Sequence, residues 1–176
     1  MSTPSVFGIY GVSNTGKTTV LVQLVTRLSK EGLRVATVKQ TNKAISMDVE
    51  RKDTWRHRQA GVSLVVFSSL CETNFLLSTR QSTPEILQKI SAFGDFDVIL
   101  IEGADDPDVP KIQIGSGKTR PNTVCVFTLR VEPAPHRLLH AGGGVGVALV
   151  GQCPLRILAG NHTGHHHHAD KPRSHR

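Results

Sequence analysis

Gly11-Val12-Ser13-Asn14-Thr15-Gly16-Lys17-Thr18 is the stretch on which the reading of the whole chain turns. It fits G-x-x-x-x-G-K-[ST] at every position. Glycines at both ends let the backbone turn sharply, so that successive N–H groups and the N-terminus of a following helix converge on phosphate oxygens. The lysine then reaches the β and γ phosphates of a nucleotide, and the Thr18 hydroxyl faces Mg²⁺. Such a loop needs a strand before it and a helix after it. Ser-Val-Phe-Gly-Ile-Tyr, residues 5–10, is short and β-prone. Leu21, Leu24, Val25 and Leu28 recur at helical spacing over residues 17–30, and Gly32 supplies a left-handed stop.

Outward from this unit, residues 33–38 form the next expected strand, which makes a βαβ unit with its right-handed crossover. Residues 39–52 are polar and aperiodic, a long loop of the kind that carries function. A short helix over 53–60 is expected to stop at Gly61, followed by strands at 62–67 and 75–77. Thr83-Pro84-Glu85 reads as an N-cap, a proline at the first helical position and an early acid, opening a helix that runs to Phe93. Residues 96–101 are the most apolar strand, ending on Glu102-Gly103, and further strands are expected at 111–114 and 123–128. Strands alternating with helices predict an α/β protein with the three-layer P-loop NTPase fold and a mostly parallel sheet. Residues 1–130 read as the nucleotide-binding domain. Residues 131–160 read as a divergent extension with strand-like stretches at 147–150 and 156–158, and residues 161–176 as a disordered His-rich tail.

Composition narrows the classes of function. The net charge is +7, but from residue 131 on the acids Glu132 and Asp170 face Arg137, Arg156, Lys171, Arg173 and Arg176, so +3 of it lies there. No basic stripe with interleaved aromatics occurs elsewhere, so nucleic acid is not the expected partner. No apolar run is long enough to span a bilayer, and residues 1–18 lack the pattern of an export signal, which predicts a cytoplasmic protein without a membrane partner. Cys71, Cys125 and Cys153 are widely spaced and read as reduced, with neither a disulfide framework nor a zinc motif.

The phosphate cradle is expected from Gly11, Ser13, Asn14, Thr15, Gly16, Lys17, Thr18 and Thr19. A site of this class also needs a carboxylate at a strand end to hold Mg²⁺, and Glu102 sits at such an end. Lys17 and Glu102 are therefore the candidate catalytic residues, with Thr18 and Glu102 on the metal. Asp105, Asp106 and Asp108 read as solvated loop acids.

Beyond the loop, residues 34–39 (Arg-Val-Ala-Thr-Val-Lys), 52–61 (Lys-Asp-Thr-Trp-Arg-His-Arg-Gln-Ala-Gly), 98–103 (Val-Ile-Leu-Ile-Glu-Gly) and 110–112 (Pro-Lys-Ile) follow in an order that resembles the molybdopterin-guanine dinucleotide biosynthesis adaptor family, usually called MobB. The block at 52–61 is the particular one, since the phosphate loop is shared with many unrelated enzymes. The resemblance implies a homodimeric accessory protein that binds GTP and Mg²⁺ and is at most a weak GTPase. It further implies that the protein assists a partner molybdenum cofactor nucleotidyltransferase acting on molybdopterin to give its guanine dinucleotide. It adds Asp48 as a third metal-side acid and places Lys52, Asp53 and Arg58 near the nucleotide or the partner. The chain departs from the family at Gln40-Thr41-Asn42, where histidines are usual, and at Ala104-Asp105, where an aromatic and a cation are usual. It has no Asn-Lys-x-Asp motif, so guanine preference comes from the resemblance. The same loop also serves small-molecule kinases, for which Arg120 and Arg130 are the available lid cations. It serves metal-insertion GTPases too, for which the run His165 to His168 is the available ligand tract, read here as low-complexity.

Overall fold

The computed structural model describes residues 3–132 and 146–152. The tail at 161–176 and the stretch at 156–158 lie outside them. Ser5–Tyr10 forms β1, Lys17–Lys30 forms α1 and Val35–Lys39 forms β2. Asp53–Gln59 forms α2, Leu64–Ser68 and Thr73–Leu77 form β3 and β4, and Thr83–Phe93 forms α3. Val98–Glu102, Lys111–Ile114, Thr123–Glu132 and Gly146–Gln152 form β5, β6, β7 and β8.

Six strands make one sheet in the order β2-β5-β1-β6-β7-β8. All neighbours run parallel except β7 and β8, which are antiparallel. β7 crosses the boundary expected at residue 130 and carries β8 on its outer side. Among the described residues, β3 and β4 stay out of this sheet and pair only with each other, antiparallel.

Strand parity decides which helix covers which face. Ile99 and Ile101 of β5, with Val6, Ala36 and Val38 beside them, pack against Leu87 and Ile90 of α3. Ile9 of β1 and Ile114 of β6 point the other way, onto Val20, Leu21 and Leu24 of α1. The sheet thus lies between α1 and α3, the three-layer arrangement expected from the sequence. Ile9, Ile99, Ile101 and Ile114 are among the largest fully buried side chains, and each such burial contributes about 1.5–3 kcal/mol. In register, Ile9 pairs with Glu102 and Lys39 pairs with Glu102, so the last residue of β5 lies on the α1 face with β2 alongside.

Helix ends follow local chemistry. At the end of α1, Leu33 N–H donates to Leu28 O and Gly32 N–H to Ser29 O, with Gly32 at φ +82°, the left-handed stop expected there. α3 begins one residue earlier than expected: Ser82, not Thr83, is the N-cap, and Ser82 and Glu85 close a capping box. Bonds from the Ser82 hydroxyl and then the Ser82 amide hold the Glu85 carboxyl below its usual range. Cys71 is free and exposed, whereas Cys125 is disulfide-bonded, which corrects the expectation that the cysteines are reduced. Among the described residues, no helix is long and apolar enough to cross a membrane.

Candidate functional site

The carboxyl end of β1 is where the chain first departs to one side of the sheet, through α1 to β2, and later adds β6 on the other. Ligands bind open α/β sheets at such a switch. Gly11 turns the chain there at φ +152°, and a Cβ on it would stand 2.1 Å from the Ile114 carbonyl oxygen. Only glycine passes this close to β6. Asn14 and Gly16 also take positive φ, and Gly16 is the N-cap of α1 with no side chain capping it. The first-turn N–H groups of α1 are thus left to an outside acceptor, and no acid lies in that turn to compete for an anion. The loop is braced from within: the Thr15 hydroxyl donates to Val12 O at 2.9 Å and Lys17 Nζ donates to the same oxygen at 2.5 Å.

Facing the loop, Thr18 Oγ1 donates to Glu102 Oε1 at 3.0 Å, and Lys39 Nζ forms an ion pair with that same oxygen. Glu102 is held in place by its backbone. Its carbonyl accepts from Gln40 N–H at 2.8 Å, and the next residue, Gly103, donates to Ile9 O at 2.7 Å. Gly103 takes φ +85°, and a Cβ on it would meet Gln40 O at 2.3 Å. A cleft of about 560 Å³ opens between these parts. Gly11, Ser13, Asn14, Gly16, Lys17 and Thr18 line one wall, the 39–45 loop a second, and Glu102, Gly103, Asp105 and Arg120 the floor and far side. The rim is tied by Arg80, which donates to Asn42 Oδ1 at 2.9 Å and pairs with Asp105 at 3.5 Å.

Arg120 is pinned rather than free. Its guanidinium lies 4.8 Å from the Tyr10 ring centroid and donates to Ala104 O at 2.6 Å. Tyr10 in turn donates to Gln113 Oε1 at 2.8 Å, and its hydroxyl oxygen accepts from Arg120 N–H at 3.0 Å. Behind this, the fully buried Lys111 donates to the carbonyls of Asp106, Val109 and Pro121, tying the loop after β5 to the loop before β7. Burial pushes its pKa down, against the upward pull of Asp106.

Of the residues expected to cradle phosphate, Thr15 serves the loop internally and Thr19 lies exposed on α1, and neither lines the cleft. Asp48 is not brought to Thr18 and Glu102. It is a buried acid accepting from the Thr54 hydroxyl at 2.8 Å and pairing with Arg58 at 3.4 Å. It lines a separate cleft of about 760 Å³ between the 47–54 segment and the β3–β4 hairpin, together with Lys52 and Asp53. Asp48 and Arg58 thus anchor α2 to the preceding loop, and the metal-side role expected for Asp48 has no support in this geometry. Sequence reasoning gave no site role to Lys39 or Lys111. Lys39 carries the same signal as Glu102, a polar residue closing an apolar strand, whereas Lys111 has only tertiary contacts to mark it.

Residues 6–128 match the family model described as molybdopterin guanine dinucleotide synthesis protein B, MobB, a span that includes every residue of this cleft. The chain belongs to the MobB family. It is 32% identical over 108 residues to the molybdopterin-guanine dinucleotide biosynthesis adapter protein of Haemophilus influenzae, covering 60% of each chain. It is 30% identical over 103 residues to the protein of that name in Escherichia coli, covering 57% of this chain and 59% of that one. It therefore spans 59–60% of the length of these curated relatives. The crystal structure of Bacillus subtilis MobB superposes with a TM-score of 0.59 at 22% identity, covering 69% of this chain and 78% of the other, a likeness of fold.

Proposed function

We propose that this MobB-family chain is a GTP-binding adaptor in molybdopterin guanine dinucleotide biosynthesis, acting beside a nucleotidyltransferase in the cytoplasm and hydrolysing GTP slowly at most. The observation that carries this reading is the cleft itself: uncapped α1 amides, Lys17, Thr18 and the buried Glu102 converge on one volume within a chain of this family. The backbone N–H groups of residues 13–18 take the phosphates, and Lys17 exchanges the Val12 carbonyl for phosphate oxygens. Thr18 and Glu102 offer a hydroxyl and a carboxylate 3.0 Å apart. Mg²⁺ is commonly held by one or two such oxygens with phosphates and waters completing the shell, so the pair fits it. When bound, the metal neutralises charge on the β and γ phosphates. Guanine preference and the pathway partner rest on the family and on the relatives' names.

The homodimer has its own support. Leu64, Val66, Phe75 and Leu77 share one face of the β3–β4 hairpin, and all four are 40–51% exposed. A two-stranded sheet is marginal alone, and a contiguous exposed apolar face marks an interaction site.

Calorimetric titration with Mg²⁺-GTP and Mg²⁺-ATP tests the nucleotide reading. GTP binding that weakens by at least about 100-fold, or about 2.7 kcal/mol, in Lys17→Ala is the expected result. Wild-type affinity in Lys17→Ala would remove the assignment.

A further inference from the structure

Resting on that reading, we propose that Lys39 is a counter-ion latch on the metal side of the cleft. Its ammonium occupies the Glu102 carboxylate and so disfavours free divalent cations. It releases the carboxylate when metal arrives already bound to a nucleotide.

Lys39 and Glu102 are the last residues of adjacent parallel strands and are partners in register, so their side chains leave the same face of the sheet side by side. The Glu102 side chain is 7% exposed, while that of Lys39 is 64% exposed. A nearly buried carboxylate needs a positive or donating partner, and Glu102 has two on the same oxygen, Thr18 Oγ1 and Lys39 Nζ. That oxygen, beside the Thr18 hydroxyl, is the one a divalent cation between Thr18 and Glu102 would use.

Three positive charges cannot share one carboxylate without strong mutual repulsion in a partly desolvated site. A bare metal ion must therefore displace the ammonium, whereas a metal carried by a triphosphate brings its own compensating anions. The exposed stem of Lys39 leaves the ammonium free to swing, and both Lys39 and the following 40–45 loop line the cleft where those anions would lie. Gln40 N–H, bonded to Glu102 O, keeps the start of that loop beside the carboxylate. A latch of this kind orders binding: the metal enters with the phosphates, not before them.

The test measures Mn²⁺ binding to the full chain by electron paramagnetic resonance, first without nucleotide. Lys39→Met is expected to tighten free Mn²⁺ by at least about tenfold, and Lys39→Arg to stay within about threefold of wild type. Adding Glu102→Gln to Lys39→Met should abolish the gain, which places it at this carboxylate. With saturating GTP present, wild type and Lys39→Met are expected to converge within about threefold, because the nucleotide has taken over the compensation. Free-metal affinity in Lys39→Met equal to wild type would overturn the latch, as would a gain that persists undiminished with GTP bound. Wild type failing to bind GTP at all would instead sink the nucleotide reading, and the nucleotide-free arm would still decide whether Lys39 guards Glu102.

Discussion

β5 and the β3–β4 hairpin are both rich in apolar residues and end up in opposite circumstances. Ile99, Leu100 and Ile101 of β5 are 0–3% exposed, with strands on either side and helices on both faces, whereas Leu64, Val66, Phe75 and Leu77 stay half-exposed, even though the Phe75 ring touches Phe93 of α3. What separates them is chiefly their neighbours. β5 sits between β1 and β2, so its last residue, Glu102, is fixed by β1 and β2 backbone as well as by Thr18 and Lys39. The hairpin has one paired edge per strand and an apolar face that stays half-exposed. The proposed phosphate and metal site rests on the first kind of strand, and the proposed dimer surface on the second.

The largest effect should come from the crossing point that makes the rigid region possible. Gly11→Ala puts a Cβ against the Ile114 carbonyl at a φ that side chains rarely adopt, and we expect loss of about 3–5 kcal/mol of stability with no measurable nucleotide binding. Denaturant unfolding and calorimetry read both, and a stable, binding-competent variant would show that the loop is not held by this contact. Next, Ile101→Ala should cost about 2–5 kcal/mol, while Val66→Ala on the hairpin should cost under about 1 kcal/mol at concentrations where the chain is monomeric. Equal costs would erase the distinction between the two regions. Val66→Asp sharpens it from the other side: self-association, followed by analytical ultracentrifugation, should weaken by at least about tenfold, or about 1.4 kcal/mol, with GTP affinity unchanged. An unaltered dimer would move the interface elsewhere. A similarly small effect is expected of Ser82→Ala, which removes half of the capping box on α3 and should cost about 1 kcal/mol in thermal or denaturant unfolding, with the cleft intact. No change would mean that Thr83 or Pro84 carries the start of α3.

The same division explains what could be read from the chain. β1 and α1 are visible to the residue, because apolar periodicity and glycine punctuation are local signals and the phosphate loop must lie between them. Glu102 is visible for a related reason: an apolar strand that ends on an acid announces a sheet edge. The α3 start is off by one because Ser82, Thr83 and Glu85 offer two overlapping caps, and only the reciprocal Ser82–Glu85 bonds choose between them. That β3 and β4 pair apart from the main sheet is not written in their own residues, since the same apolar run suits a buried strand. Asp48 shows the limit most clearly. Its place in the order of motifs pointed to the metal, yet Thr54 and Arg58, only 6 and 10 residues away, hold it on α2. Lys111 reads as an ordinary alternation in a strand until three carbonyls from two loops are seen around its ammonium.

In the proposed complex the amides of residues 13–18, with Lys17, grip a triphosphate whose Mg²⁺ lies between Thr18 and Glu102. A crystal structure with Mg²⁺ and a non-hydrolysable GTP analogue tests it most directly. Phosphate density against those amides, Lys17 Nζ turned from Val12 O to the β and γ oxygens, and a metal beside Thr18 Oγ1 are the expected result. Nucleotide density outside this cleft, with Lys17 still bonded to Val12, would contradict it.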